Sequence, residues 1–159
     1  MTHKLKTSVT LPVEIEKTFA FFANASNLET IPPPELRFQI LTPQPIEVTE
    51  GTEIDYRLCL CGLPLKWRAR ITNWTPSHRF VDEQIQGPYK QWVHIHRFHG
   101  HNGSTTIVDE VRYELPLCPF GELAYPIVSA QLQRIFDFRN KAIRETIFGS
   151  REEDNWLKQ

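Results

Sequence analysis

The chain has 159 residues, 40% of them hydrophobic and 23% charged, a composition that suits a single domain with its own enclosed core. Lys and Arg number 18 against 19 Asp and Glu, a formal net charge of -1, so no global field draws the chain to nucleic acid or to an anionic membrane. No apolar run is long enough to span a bilayer and the opening MTHKLKTSVTL lacks the apolar centre of a signal peptide, so a soluble cytoplasmic protein is expected.

Residues 4–11, KLKTSVTL, set Leu5, Thr7, Val9 and Leu11 against Lys4, Lys6, Ser8 and Thr10, the period of a half-buried strand. Pro12 ends it. The following VEIEKTFAFFAN gathers Val13, Ile15, Phe19 and Phe22 into one stripe and predicts a first helix ending near Asn24. In NASNLETIPPPEL, Ser26 is the expected cap of a short helical turn, and three consecutive prolines rule out a helix interior. This connector is placed to lie over an opening.

From Arg37 onward the pattern changes to strand-length runs, RFQIL, TEIDYRLCL, LPLKWRARITNW, HRFVDEQIQ, QWVHIHRF and STTIVDEVRYEL, separated by Pro or Gly turn signals. Alternation puts Ile54, Tyr56, Leu58 and Leu60 on one face, and likewise Leu65, Trp67, Ala69 and Ile71, as in an antiparallel meander with one wet side. Cys59 and Cys61 are expected on one strand face. With Cys118 they make an odd number in a chain without a secretory signal, which points to free thiols, and no second cysteine pair completes a zinc site.

The last element, from about Glu122 to Phe148, carries Val128, Leu132, Ile135, Phe136, Ala142, Ile143 and Thr146 at close to helical spacing, with Gly149 as its expected stop. The predicted architecture is α+β: a curved antiparallel sheet of about seven strands wrapped around a long C-terminal helix. Residues 1–149 form the domain and 150–159 a charged tail.

The segments LKWRARITNW, HRFVDEQIQGPYKQWVHIHRF, VDEVRYELP and LQRIFDFRNKAI, within residues 65–143, resemble the SRPBCC or START-like superfamily of polyketide cyclase/dehydrase-like proteins. That resemblance implies the helix-grip fold, with two short helices after the first strand. It also implies a cavity between sheet and C-terminal helix that takes a lipid, quinone, hormone or polyketide, and it includes cyclases as well as binding proteins. It is specific for fold and not for chemistry. At LPLCPFGEL the chain departs from the pattern, since Cys118 stands where a glycine is expected.

The densest polar sequence is WVHIHRFHGHNGSTTIVDEVRY. Asn102-Gly103 is a two-residue hairpin signal, because both residues tolerate positive φ. Opposed residues then have numbers summing to 205, which pairs His96 with Asp109, His94 with Val111, Phe98 with Ile107 and Trp92 with Tyr113, all on the inward face. His99 and His101 fall at the solvated tip. Three readings of the inward group compete: His94, His96 and Asp109 as metal ligands; His96 as a general base oriented by Asp109; and a hydrogen-bonded polar ladder in an apolar interior. The ladder leads, because buried polar groups are normally satisfied structurally, and neither a metal nor another cofactor is expected. No serine or cysteine stands in a nucleophile's context.

Arg139 falls in the middle of the apolar stripe of the last helix and needs a carboxylate, Asp109 or Asp82, or a ligand oxygen. The expected ligand-binding set is Tyr56, Trp67, Phe80, Trp92, Phe98 and Tyr113 for apolar area, Asp82, His94, His96 and Asp109 for polarity, and Leu132, Phe136 and Arg139 from the helix. The leading expectation is a binding or transport protein for a hydrophobic small molecule. The alternatives are a cyclase or dehydratase-type enzyme using His96 and Arg139, and an accessory interaction domain with a filled core.

Overall fold

The computed structural model describes residues 1–117 and 120–156, with side chains as far as residue 147, so the departure at Cys118 lies outside the described residues, as does the end of the tail after Trp156. The elements in chain order are β1 (Thr2–Leu11), α1 (Ile15–Ala23), 3-10 turns at Ala25–Glu29 and Pro34–Leu36, β2 (Gln39–Ile40), β3 (Glu53–Leu60), β4 (Leu63–Thr75), β5 (Arg79–Gln86), β6 (Gln91–His101) and β7 (Ser104–Glu114). A third 3-10 turn at Phe120–Ala124 leads into α2 (Tyr125–Trp156). The strands form one antiparallel sheet of seven in the order β1-β7-β6-β5-β4-β3-β2, the helix-grip architecture expected from the sequence.

The inward face of this sheet carries the alternating apolar residues, and α2 lies against it. Leu132 and Phe136 of α2 join Trp67, Trp92 and Val111 of the sheet in one apolar cluster. Ile143 and Ile147 join Val9, Leu11, Phe22 and Ile107 in the other. The space between the two clusters is where the site lies. Two register shifts in β4 against β5, at Arg68/Ala69 and Ile71/Asn73, are bulges of the kind that bend a strand. The second reverses the alternation. Trp74, which a strict period of two sends outward, instead packs with ring centroids 5.0 Å from Phe19 and 5.5 Å from Phe80.

Several local expectations change. Only Gln39–Ile40 of RFQIL pairs as a strand, and the Pro-rich stretches on either side explain its shortness. Asn24, not Ser26, caps the first 3-10 turn, its side-chain oxygen accepting from the Ser26 backbone N–H at 3.1 Å. Cys61 does not share a strand face with Cys59, because it turns with Gly62 at φ 50° and donates its thiol to Gln131 Oε1 at 2.8 Å. On α2, Thr146 is exposed and Ile147 takes its place in the buried stripe. Gly149 does not stop the helix, which runs on to Trp156; a helical glycine costs only about 1 kcal/mol relative to alanine, which the turns on either side can carry.

The β6–β7 hairpin has the expected register throughout, His96 opposite Asp109 and Trp92 opposite Tyr113. Asn102 and Gly103 sit at φ 47° and 74°. Gly103→Val is therefore expected to lower stability by about 1 to 2 kcal/mol, the usual cost of a left-handed conformation for a residue with a Cβ, as read by chemical unfolding. No described helix is long and apolar enough to cross a membrane.

Candidate functional site

Between the sheet and α2 lies a cavity of about 210 Å³. An enclosed apolar space of about 150 Å³ already holds a benzene ring, so this one has room for something larger. Its sheet wall is built mainly from Tyr56, Trp67, Ala69, Phe80 and Trp92, and α2 supplies Leu132, Ile135, Phe136 and Arg139. The Pro-rich connector, with its two 3-10 turns, adds Leu28, Ile31, Pro32 and Leu36 to the lining. An interior filled entirely by side chains is not what the chain forms.

Polarity gathers at one wall. β6 presents His94 and His96, two residues apart and so on the same face; Asp82 of β5 stands opposite His94, and Asp109 of β7 stands opposite His96. His94 Nε2 lies 3.0 Å from Asp109 Oδ1, and His96 Nε2 lies 2.9 Å from Asp82 Oδ2. His96 Nδ1 also approaches Asp109 Oδ1 to 2.8 Å, but off the line of a well-formed hydrogen bond. From α2, Arg139 brings a guanidinium nitrogen to 3.9 Å from Asp109 Oδ1 and holds its charge over the rings of Phe22 and Phe136, 5.7 and 5.6 Å from their centroids. Its Nε has no hydrogen-bond partner among the described residues.

Opposite charges meet in this wall. Burial alone would raise the Asp109 carboxyl, but the Arg139 charge and the hydrogen bonds of His94 and His96 outweigh it and hold that carboxyl well below the usual range. Burial likewise opposes ionisation of Asp82, and the charges and hydrogen bonds of the two histidines overcome it. The histidines diverge. Burial, helped by the charge of His96, lowers His94 to about 4, whereas His96, pushed down by burial, is raised on balance by hydrogen bonds to Asp109 and Asp82. The Phe80 ring stacks on His96 at 4.0 Å. At neutral pH the wall therefore holds two carboxylates and Arg139 around a neutral His94, with His96 shifted towards its protonated form. Opposite charges held together in this way are the form in which ionised groups can be buried.

Of the residues singled out in the sequence, Tyr56, Trp67, Phe80, Asp82, Trp92, His94, His96, Leu132, Phe136 and Arg139 line the cavity together. Phe98, Asp109 and Tyr113 do not. Phe98 packs under α1 against Phe19 and Phe22, Tyr113 packs against His3 and Tyr89, and Asp109 stands behind the histidines, 1% exposed. The structure also alters two roles. The acid that meets both histidines on the cavity side is Asp82, whereas Asp109 meets them from the other side. The two imidazoles also differ, burial lowering His94 while the neighbouring carboxylates raise His96.

Sequence reasoning missed Tyr89, Leu58 and the connector residues as cavity walls. Three prolines in a row gave a hint of the connector's position. Nothing gave Tyr89, which lies in the β5–β6 turn, outside any alternating run.

No family model matches the chain, and no curated protein matches it in sequence. Solved structures match it closely in shape. They include the ZhuI aromatase/cyclase from Streptomyces sp. R1128, with a TM-score of 0.72 at 15% identity over 92% of this chain and 93% of that one. Norcoclaurine synthase from Thalictrum flavum, solved with dopamine and hydroxybenzaldehyde, gives a TM-score of 0.65 at 13% identity over 91% and 88%. Ara h 8.0201 gives a TM-score of 0.61 at 15% identity over 90% and 98%. The chain shares the helix-grip fold with these structures. At these identities the likeness concerns the fold.

Proposed function

We propose that this chain is a cytoplasmic protein that binds or carries a hydrophobic small molecule, of lipid, quinone or polyketide-like kind, in the cavity between sheet and α2. The observation that carries the reading is an apolar cavity whose charged lining residues, Asp82, His94, His96 and Arg139, stand together at one wall. A largely apolar pocket with a few convergent polar groups is the usual form of a small-molecule site. The apolar body of the ligand lies against Trp67, Trp92 and Phe136, and a carbonyl, phenol or carboxylate oxygen meets Arg139, whose charge is shared loosely with Asp109 at 3.9 Å and is free to take a second acceptor.

Two variants test this with a fluorescent naphthoquinone-type probe. Ala69→Phe places a ring in the cavity and is expected to abolish saturable binding while the far-UV spectrum stays unchanged. Arg139→Met is expected to weaken an oxygen-bearing probe by one to two decades, the worth of a charge-assisted hydrogen bond of roughly 1.5 to 3 kcal/mol, and to leave its hydrocarbon analogue unaffected. Equal affinities for both probes in the parent and in Arg139→Met would remove Arg139 as the polar anchor.

A second reading, a cyclase or dehydratase-type enzyme, is favoured by one observation, the unequal histidines. His94 as a base, His96 as an acid and Arg139 beside a developing oxyanion make a set able to move a proton and expel water. It predicts that a bound β-hydroxy ketone loses the mass of water over time and that His94→Gln stops this without releasing the compound.

A further inference from the structure

We infer that Asp82, His94 and His96 form a three-ligand site for a divalent transition-metal ion of the zinc(II) class, open to the cavity and oriented from behind by Asp109. The inference does not rest on the nature of any organic ligand, so either can fail without the other.

Ring nitrogens of both imidazoles converge on Asp82. His94 donates Nε2–H to Asp109 Oδ1 at 3.0 Å, which leaves Nδ1 unprotonated and facing Asp82 Oδ2 at 3.6 Å. His96 turns Nε2 to the same Asp82 oxygen at 2.9 Å. Three ligand atoms, one from each side chain, thus lie within 4.8 Å of one another. The only proton the three side chains can place among these atoms is the one on His96 Nε2. A divalent ion would satisfy all three at once. Ligand atoms at about 2.0 to 2.2 Å from a tetrahedral zinc ion stand about 3.3 to 3.6 Å apart; the Asp82 oxygen stands 3.6 and 2.9 Å from the two imidazole nitrogens, and those nitrogens, within 4.8 Å of each other, close on an ion by side-chain rotation.

The surroundings have the form of a metal site's outer layer. Metal-bound imidazoles hand their remaining N–H to a carboxylate, which fixes tautomer and ring direction. Asp109 is in place to do this for both rings: it accepts from His94, and it stands 2.8 Å from His96 Nδ1, a buried nitrogen that has no aligned partner. Asp109 Oδ2 likewise lacks a partner. With the ion on His96 Nε2, the proton of that ring sits on Nδ1, 2.8 Å from Asp109 Oδ1, which a small ring rotation would align.

Three protein ligands leave a fourth position open, the arrangement of catalytic rather than structural zinc. Here that position faces the cavity, because Asp82, His94 and His96 line it and Asp109 does not. The dication and Arg139 outweigh the two carboxylates by one charge. The open position therefore favours an anionic oxygen, hydroxide or the carboxylate or enolate of a small molecule.

The test uses the full chain without an affinity tag, stripped with a chelator and titrated with zinc(II) alone by calorimetry, alongside metal analysis of protein never exposed to chelator. The expected result is about one zinc per chain. Binding should be at least about 100-fold weaker in His94→Gln and in Asp82→Asn, since losing a direct ligand exceeds the 10- to 100-fold typical of an outer-layer partner. Circular dichroism checks that each variant is folded, and either one suffices if the other is not. His99→Ala with His101→Ala, at the exposed hairpin tip, should leave binding unchanged. Zinc binding that survives in a folded His94→Gln or Asp82→Asn, that disappears only with the tip histidines, or that is absent from the stripped parent overturns the site.

Discussion

Asp109→Asn is expected to lower folding stability by about 3 to 5 kcal/mol, the usual result of removing one partner from a buried charge network. Asp109 is 1% exposed and is the group on which His94, His96 and Arg139 converge. The amide keeps the shape and some hydrogen bonding, but it leaves Arg139 and the upward-shifted His96 facing a single carboxylate in the interior. Asp109 stands behind the histidines, so this cost belongs to the fold and is paid whether or not the cavity is filled. Urea unfolding at neutral pH measures it from the midpoint at constant slope. Adding Arg139→Met to the variant should recover part of the loss, because the excess charge goes with it. A loss below about 1 kcal/mol would mean that water reaches this wall freely, contrary to its burial.

The second large effect is acid destabilisation that begins well above the carboxylate range. His94 is held neutral at about 4 in the folded chain, against about 6.5 when unfolded. Between these values the unfolded chain binds more protons, so stability falls as the pH drops from 6.5 towards 4, by up to about 3 kcal/mol at 1.36 kcal/mol for each pH unit. His96 acts with the opposite sign: its folded value is raised, so its contribution is complete below 6.5 and is lost as the pH rises through the folded value. Asp82 and Asp109, both lowered, add their losses only below about 3.8. Unfolding midpoints of chelator-treated protein at pH 7, 6, 5 and 4.5 should therefore decline, and His94→Gln should flatten that decline. A profile that is level from pH 7 to 4.5 in the parent would show that His94 is not buried neutral.

Much of this site was legible in the sequence because its central strands are joined by a turn that fixes register. Asn102-Gly103 determined which residues of β6 and β7 oppose one another, and period two then placed both histidines and Asp109 inward. Helical spacing placed Arg139 in the apolar stripe of α2. Alternation, however, gives the face of a strand and not its distance from a given side chain, so it could not tell that Asp82 meets the histidines on the cavity side. The bulge after Ile71 was invisible for a related reason: one extra residue reverses the alternation, and no glycine or proline marks it. The opposite shifts of His94 and His96 depend on burial and on two carboxylates from different strands, which no linear pattern contains. The connector's role as a wall follows from tertiary packing of residues that have no period of their own.

Native mass spectrometry of the untagged chain, purified without detergent from the cells that make it, addresses the central claim most directly. The account predicts a population heavier than the apo or metal-bound chain by the mass of one organic compound, released on denaturation, and a markedly smaller such population in Ala69→Phe. A parent chain that carries no organic mass and that also fails to take up hydrophobic probes saturably would contradict it.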